Sequence, residues 1–518
     1  MPYIPKQYDS AKPWLQGYSN MGNVIDPLDA QRVSAYNLYD DFYHNRPETF
    51  KVTMRGESDV EIYLPSSKKI IDATARFLGV EFDFTLSGGE KDTVDTYLRN
   101  LFAREGVSRK FVQAKKSGLT RADAVWHITA DPSKRVGQRI SIHTVHPSCY
   151  FPIEDPQNAE RVIGVHLVDL IPDPREVGPH RDRTKLVARR QTYRKEDNGQ
   201  ISSETRTYEI GGWDDRNLAA DELKPVSIIM PKKLLPQSIT QIPAYLVSYN
   251  VPDGSTWGMS QLAGVEYIIN ALNQSTTYED LSLVLQGLGV YVTTAAPPEG
   301  ADGRPGKYKL HPGNVVEMGV GDTFTRVTGV ASVAPFQDHM NFMDTYMGDG
   351  LGVPDMAQGS IDVAVAQSGI ALALKMGPII AENEDKQLSL KERWDQIGYD
   401  LIQGWLPAFE SISSLGTVWD TTFGDPMPIN RESKYGELIA LKTAGLLLID
   451  ECRKEMKDLG YEYSTGLTQK LLDEAAEIAT ASTGETQGGE LGANSLPPEI
   501  LDALGSSISS STNGATVA

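Results

Sequence analysis

An α+β protein is predicted, on three observations. Apolar residues recur at spacings of three and four from Gly258 to about Gln286 (Met259, Leu262, Val265, Ile269, Leu272) with no proline between them, the pattern of one long helix. From about Ala122 to Val247 the chain changes to short β-type runs separated by turn residues. Beyond a Pro/Gly-rich stretch at Pro297–Gly306 the helical period returns near Ala334, so a small β-rich piece lies between two helices.

Taken in order, Val33, Tyr36, Leu38, Tyr39, Phe42 and Tyr43 give a first helix, closed by a turn at Asn45-Arg46-Pro47. Glu61–Pro65 reads as a short extended run, with Ser66 or Ser67 capping a helix to about Phe77-Leu78. Asp92 to about Ser117 holds one or two helices (Val94, Leu98, Leu101, Phe102, Phe111). Val125–Ile128, Ile140–His143, Val162–Val168 and Arg206–Ile210 are strands, and Asn198-Gly199 between Tyr193 and Ile201 is a hairpin signal. After the long helix come a strand at Val290–Thr293, more short strands up to Thr328, and a helix over about Ala334–Met347. Gly348, Gly350, Gly352 and Pro354 end that helix. A third long helix runs from near Ala366 to about Leu406, kinked or broken at Pro378 and stopped by Pro407, with Trp394, Ile397, Leu401 and Trp405 as its apolar stripe. Ser433 to about Leu459 is a helix pair split near Gly445, and Thr465 to about Ile478 is a further helix. The Ser/Thr/Gly-rich remainder from Ala479 reads as flexible, apart from a short turn at Pro497–Leu504. No internal repeat is present.

The chain has 518 residues, 40% apolar and 23% charged, which is enough for a substantial core and suggests about three or four domains. No apolar run approaches the roughly 20 residues of a membrane span. Met1–Lys6 lacks the pattern of a secretory signal. Two cysteines, Cys149 and Cys452, exclude a disulfide scaffold and fit assembly in a reducing cytoplasm. The formal net charge of −20 argues against tight nucleic-acid binding and leaves two readings, plain solubility or a surface that faces DNA without holding it.

Motifs for chemistry are weak. His143-x-x-His146-x-x-Cys149 has zinc-type donors, but strand geometry, Pro147 and the lack of a second ligand pair speak against a metal site. Gly300–Lys307 departs from a phosphate loop by one residue of spacing and by Tyr308 where Ser or Thr is required, so it reads as a glycine-rich turn. Gly258-Met259-Ser260 lacks the second glycine of a nucleophile elbow. The basic stretch Arg175–Lys195 reads as an exposed, salt-bridged hairpin ahead of a phosphate-contacting one. Glu382, Glu384 and Asp385 read as a solvated helix face. No catalytic residue, cofactor or metal is expected from these patterns, and an ATPase activity is not expected.

The segments Ile242–Val247, Trp257-Gly258-Met259-Ser260-Gln261-Leu262 and Ile269-Asn270-Ala271-Leu272-Asn273, followed by Gly352-Val353-Pro354 and Gln367–Leu372, resemble in order and spacing the portal proteins of tailed, siphophage-type bacteriophages; Arg32–Tyr43, Ile62–Pro65 and Tyr150-Phe151-Pro152 fit the same pattern. The likeness spans most of residues 30–460. It implies a portal-protein fold: a mixed α/β wing (residues 1–257), a stem helix (258–286), a β-rich clip (287–333), a second stem helix (334–350), a tunnel loop (351–366), a long kinked helix with the rest of the wing (367–432), a helical crown (433–478) and a flexible tail (479–518). It implies a homo-oligomeric ring, a dodecamer in virions, at one capsid vertex. The expected partners are the terminase large subunit, the major capsid protein, a scaffold protein and a head-completion adaptor, with double-stranded DNA passing through the channel. On this reading Asp355, Gln358, Ser360 and Asp362 of the tunnel loop, and Glu382 and Glu384 of the following helix, line the channel. The residues alone leave open two other readings, a cytoplasmic enzyme and another virion structural protein such as a capsid or baseplate subunit.

Overall fold

The computed structural model describes residues 27–52, 61–155, 157–173, 175, 186–209, 225–288, 290–297, 308, 318–327, 334–359, 369–424, 426, 431–443, 452, 455 and 456. The chain divides into two units, residues 1–428 and 429–518.

In the first unit, α1 (Pro27–Tyr43) buries Val33, Tyr36 and Phe42; Leu38, expected on the same face, is 42% exposed. The run at 61–65, expected as a strand-like stretch, joins no helix or sheet among the described residues. Helix α2 (Ser66–Phe77) follows it, and the expected serine caps are not used: Pro65 holds the cap position while Ser66 and Ser67 are buried in the first turn. Strand β1 (Asp83–Ser87) precedes α3 (Lys91–Glu105) and α4 (Val107–Arg121). Gly106 divides these helices at φ 61°, where its N–H closes onto Ala103 and Phe102; only glycine takes this backbone cheaply.

Strands β2 (Asp123–Ala130), β3 (Ile140–Val145) and β9 (Ala244–Ser248) form an antiparallel sheet in the order β3-β2-β9. A separate five-stranded antiparallel meander runs β4 (Tyr150–Asp155), β5 (Asn158–Pro172), β6 (Leu186–Lys195), β7 (Ile201–Glu209) and β8 (Pro225–Leu234). The Asn198-Gly199 hairpin is where the sequence places it: Lys195 pairs with Ile201, and Gly199 sits at φ 82°. The expected salt-bridged character of this basic region holds at β6, where Arg189 Nε lies 2.9 Å from Asp169 and Arg190 stacks over Tyr208. Arg181, Arg183 and Lys185 lie outside the described residues.

Helix α5 (Glu266–Leu288), β10 (Val290–Thr293), β11 (Phe324–Val327) and α6 (Ala334–Gly350) come next, then α7 (Gly369–Asp400), a π-helical segment Leu401–Glu410 and β12 (Val418–Thr422), which pairs with β1. Two boundaries correct the sequence reading. The long helix begins at Glu266, not Gly258. Residues 258–261 instead zip against neighbouring backbone, Met259 N to Tyr249 O (3.0 Å) and Gln261 N to Leu119 O (2.9 Å). A Cβ at Gly258 would lie 2.1 Å from the Tyr249 carbonyl, so the close approach requires glycine. Leu262 and Val265 are core residues as expected, but of an irregular turn. At the other end, Pro407 does not stop the helix; it lies inside the π-helical segment Leu401–Glu410. Pro378 likewise lies inside α7 without ending it.

The main core lies where α4 and α7 cover the three-stranded sheet. Trp126 of β2 meets Trp394 of α7 edge-on at 4.8 Å, and Phe82, Phe84, Phe102, Phe111 and Trp419 close around them. Such aromatic pairs each add about 0.5–1.5 kcal/mol beyond area burial. A smaller core of Val125, Tyr150, Val165, Leu167, Tyr193, Ile201 and Ala244 fixes the meander to the sheet, with His127 Nε2 2.9 Å from Tyr193 Oη.

In the second unit the described part is α8 (Arg431–Thr443), with helical residues again at Cys452, Glu455 and Met456. The expected helix at 465–478, the tail and the glycine-rich turn at 300–307 lie outside the described residues. Among the described residues no helix is long and apolar enough to cross a membrane, and no cluster of metal-ligating side chains occurs.

Candidate functional site

The feature that stands out is a two-helix stalk. Helix α5, about 35 Å long at 1.5 Å per residue, and the shorter α6 pack side by side. Thr276 meets Met340 (3.3 Å) and Glu279 meets Gln337 (3.0 Å), so ascending α5 is matched by descending α6 and the helices are antiparallel. At the far end of α5 the chain turns into β10, which pairs with β11 over four residues, Val290↔Val327 to Thr293↔Phe324. Tyr308 Oη bonds Ala296 O (2.6 Å) and its ring meets Phe324. The β-rich piece is therefore a tip carried on two helices, as the order of elements requires.

The base of the stalk is tied to the main core by one polar face of α5. Lys51 N and Leu64 N donate to Asn270 Oδ1 (3.3 Å) and Asn273 Oδ1 (2.9 Å), Ile62 N donates to Thr277 Oγ1 (3.2 Å), and Tyr39 Oη donates to Glu266 Oε1 (2.7 Å). Asn270, Asn273 and Thr277 follow one another at spacings of three and four, one helical face. The amides of Ile62 and Leu64 are thus satisfied by helix side chains in place of a sheet partner. Met343 and Met347 of α6 and Leu272 of α5 are buried here, whereas Phe342 (65% exposed) and Tyr346 (63%) stack on each other, at 6.1 Å, on the outer face of α6.

The charge of the stalk is one-sided. No Lys or Arg occurs between residues 234 and 303 or between 327 and 374, while α5 carries Glu266, Glu279 and Asp280 and α6 carries Asp338, Asp344 and Asp349. Lys69 of α2 reaches Asp344 at 3.1 Å at the base. The cation-free runs are legible in the sequence, but nothing local singles out the acids of the two helices; the structure sets them on adjacent elements.

The predicted channel residues fall into three groups. Asp355 is exposed on a turn, and Gln358 beside it donates from Nε2 to Val353 O (2.9 Å), closing that turn. Val353 and Ala357 are buried, so this first part of the loop is anchored. Ser360 and Asp362 lie outside the described residues. Glu384 is exposed on α7, but Glu382 is engaged, with Oε1 2.6 Å from the Nζ of buried Lys386. Burial pushes Lys386 below the ordinary lysine range, against the pull of Glu382. The structure brings Glu382 and the loop together, since its side chain lies beside Gly352 (φ 64°).

At the foot of α1 a buried polar cluster joins three elements. Arg121 at the end of α4 grips Asp40 with Nη2 (2.7 Å) and Nε (2.8 Å), and His146 Nε2 is 3.5 Å from the same carboxylate. Burial would raise Asp40, but Arg121 and His146 override it and hold it at about 2. Burial and the Arg121 charge press His146 down to about 4, so it is neutral near pH 7. Its Nδ1 accepts from Ser148 N (3.2 Å), which leaves the proton on Nε2 toward Asp40. Cys149, the third member of the His/His/Cys motif, is buried with its thiol pushed up to about 12.

No protein-family model and no curated protein matches the chain. Solved structures do. One is described as the neck of an empty GTA particle computed with C6 symmetry, at 12% identity and TM-score 0.42, covering 83% of this chain and 94% of that one. Another, the virion of a native gene transfer agent particle, has 14% identity and TM-score 0.42 over 88% and 99%. A third, the neck of a native GTA particle computed with C12 symmetry, has 14% identity and TM-score 0.38 over 75% and 87%. At this level of likeness the functional argument rests on the chain's own geometry.

Proposed function

We propose that this protein is the ring-forming portal subunit of a tailed phage or phage-like particle, placed at one capsid vertex where double-stranded DNA enters and leaves. The observation that carries the reading is the stalk: two antiparallel helices with acids and no Lys or Arg, ending in a β tip and rooted in a mixed α/β body. Copies set around an axis by heterologous contacts close into a ring whose stalks wall a channel. Nucleic-acid affinity depends on Lys and Arg neutralising phosphates, so an acidic wall lets a duplex slide without binding it. The role is passive: the ring hydrolyses no ATP, and it offers a docking face to a terminase motor before packaging and to a head-completion adaptor afterwards. Contacts with the major capsid protein and a scaffold protein belong to assembly, in the host cytoplasm. The exposed Phe342–Tyr346 pair supplies apolar surface for a neighbouring subunit. Negative-stain microscopy of the purified chain tests this; rings with a central hole, twelve-fold in virions, are expected. A protein that light scattering finds monomeric at every salt concentration and at high protein concentration would sink the proposal.

A further inference from the structure

The loop between β2 and β3, Asp131–Arg139, is held in one shape. Ser133 N and Oγ donate to Asp131 Oδ1 (3.0 and 2.6 Å), and Arg139 donates from Nε to Lys134 O (3.1 Å) and from Nη1 to Phe409 O (2.9 Å). Glu410, 2% exposed, accepts from Arg139 N (2.7 Å), from Gly137 N and from Tyr97 Oη (2.9 Å), so the end of the π-helical segment clamps the loop backbone. The loop presents Lys134, Arg135 and Val136 to solvent. Val136 is 61% exposed, and neither cation has an ion-pair partner among the described residues. Fixing a loop costs conformational entropy, and a loop fixed in advance lowers the cost of binding a partner.

The complement lies on α7. Glu384, Asp385, Leu388 and Glu392 form one exposed stripe at spacings of three and four. Leu388 is 58% exposed and stands four positions beyond Glu384, where a cation would pair with it. The nearby lysines are turned elsewhere: Lys386 is buried against Glu382, and Lys391 is bound to Asp420 (2.5 Å) and Thr421 O (2.6 Å). The three acids have no ion-pair partner among the described residues. Two copies of a chain with a net charge of −20 repel, so they are drawn together where unpaired cations of one meet unpaired acids of the other. Lys134 and Arg135 beside Val136 match, in sign and in apolar centre, the acids around Leu388.

We propose that Lys134, Arg135 and Val136 of one subunit dock on the Glu384–Glu392 stripe of the next copy, as one part of the subunit contact. The inference rests on the ring reading above, and it turns Glu384 toward the neighbouring subunit instead of the channel. The test reverses charge on each side of the full chain, Lys134→Glu/Arg135→Glu and Glu384→Lys/Glu392→Lys, and follows rings by light scattering and negative-stain microscopy. All four side chains are exposed and unpaired, so the monomeric fractions should keep the amide exchange of the unaltered chain. Each variant alone should raise the concentration at which rings form about tenfold or more at low salt. The neutral pair Lys134→Gln/Arg135→Gln, which adds no repulsion, should give a smaller rise. An equimolar mixture of the two reversed variants should form rings at the concentration of the unaltered chain, because each reversed patch then meets its complement and alternating subunits close an even-numbered ring. Rings from either reversed variant at the unaltered concentration, or a mixture no better than its components, overturn the proposal and leave the ring reading standing. Weaker binding of a short DNA duplex by the loop variant, with rings intact, also overturns it and assigns the loop to phosphates. An unaltered chain that forms no ring overturns the ring reading and this contact with it.

Discussion

The Asp40–Arg121–His146 cluster allows a quantitative prediction. Asp40 and Arg121 are joined by an ion-pair contact at 2.7 Å and a hydrogen bond at 2.8 Å, and their side chains are 8% and 6% exposed. Removing one partner leaves the other buried and uncompensated, a loss of about 3–5 kcal/mol, whereas replacing both with apolar residues of similar size is often close to neutral. Asp40→Asn and Arg121→Met should each lower protection by about that amount, and Asp40→Leu/Arg121→Met should recover most of it. A chain of this size is not expected to unfold in one step, so the assay is native-state hydrogen exchange of amides in α1 and α4. Additive losses in the double variant would refute the coupling. The same cluster fixes a pH dependence. Asp40, held at about 2 against 3.8, contributes about 2.5 kcal/mol that is present above pH 4 and lost as pH falls toward 2. His146, held at about 4 against 6.5, is protonated first in the unfolded chain, so stability falls by about 3 kcal/mol as pH drops from 6.5 to 4. His146→Gln should abolish that second leg and shrink the first, which Arg121 then carries without His146.

Two further outcomes follow from single contacts. A Cβ at Gly398 would lie 2.2 Å from the Trp419 ring, so Gly398→Ala should force the β1–β12 pair away from α7 and cost about 1–3 kcal/mol, read as faster exchange of the β12 amides. Phe342→Ser/Tyr346→Ser removes exposed apolar surface, so the monomer should keep its stability within about 0.5 kcal/mol while ring formation, followed by light scattering, is lost; unimpaired rings would remove this face from the subunit contact.

The architecture around the stalk is legible in the sequence because it depends on short-range signals. The period of three and four at Ile269 and Leu272, the strand at Val290–Thr293, the return of helix at Ala334 and the Asn198-Gly199 turn are all set by local sequence, and the structure has each of them. Where the fold departs from the local pattern, a long-range contact outweighs it. Met259, Leu262 and Val265 carry helical spacing, yet Tyr249 O and Leu119 O take the amides of Met259 and Gln261, and Gly258 lies too close to the Tyr249 carbonyl for a helix to start there. Pro407 reads as a stop, but nothing local announces a π-helical winding that accepts it. Among the candidate channel residues, Glu382 has Lys386 four positions on, the spacing of a helix-face ion pair, and Glu384 has no such partner; what only the packing of α7 decides is that this lysine is buried.

By itself, then, the sequence determined the fold class, the order of the main helices, and a stalk free of Lys and Arg, since period, turn chemistry and charge are properties of neighbouring residues; the strands Asp83–Ser87 and Val418–Thr422, which pair across the chain, it did not announce. The tertiary structure alone decided that the lysine partner of Glu382 is buried. It also decided that Asn270, Asn273 and Thr277 accept from the amides of Lys51, Leu64 and Ile62, and that Arg32, Asp40 and Arg121 are buried cations and anions and not surface charges. Those outcomes depend on groups far apart in the chain meeting where water is excluded, and the energy of a charge or an amide is set there by its partner.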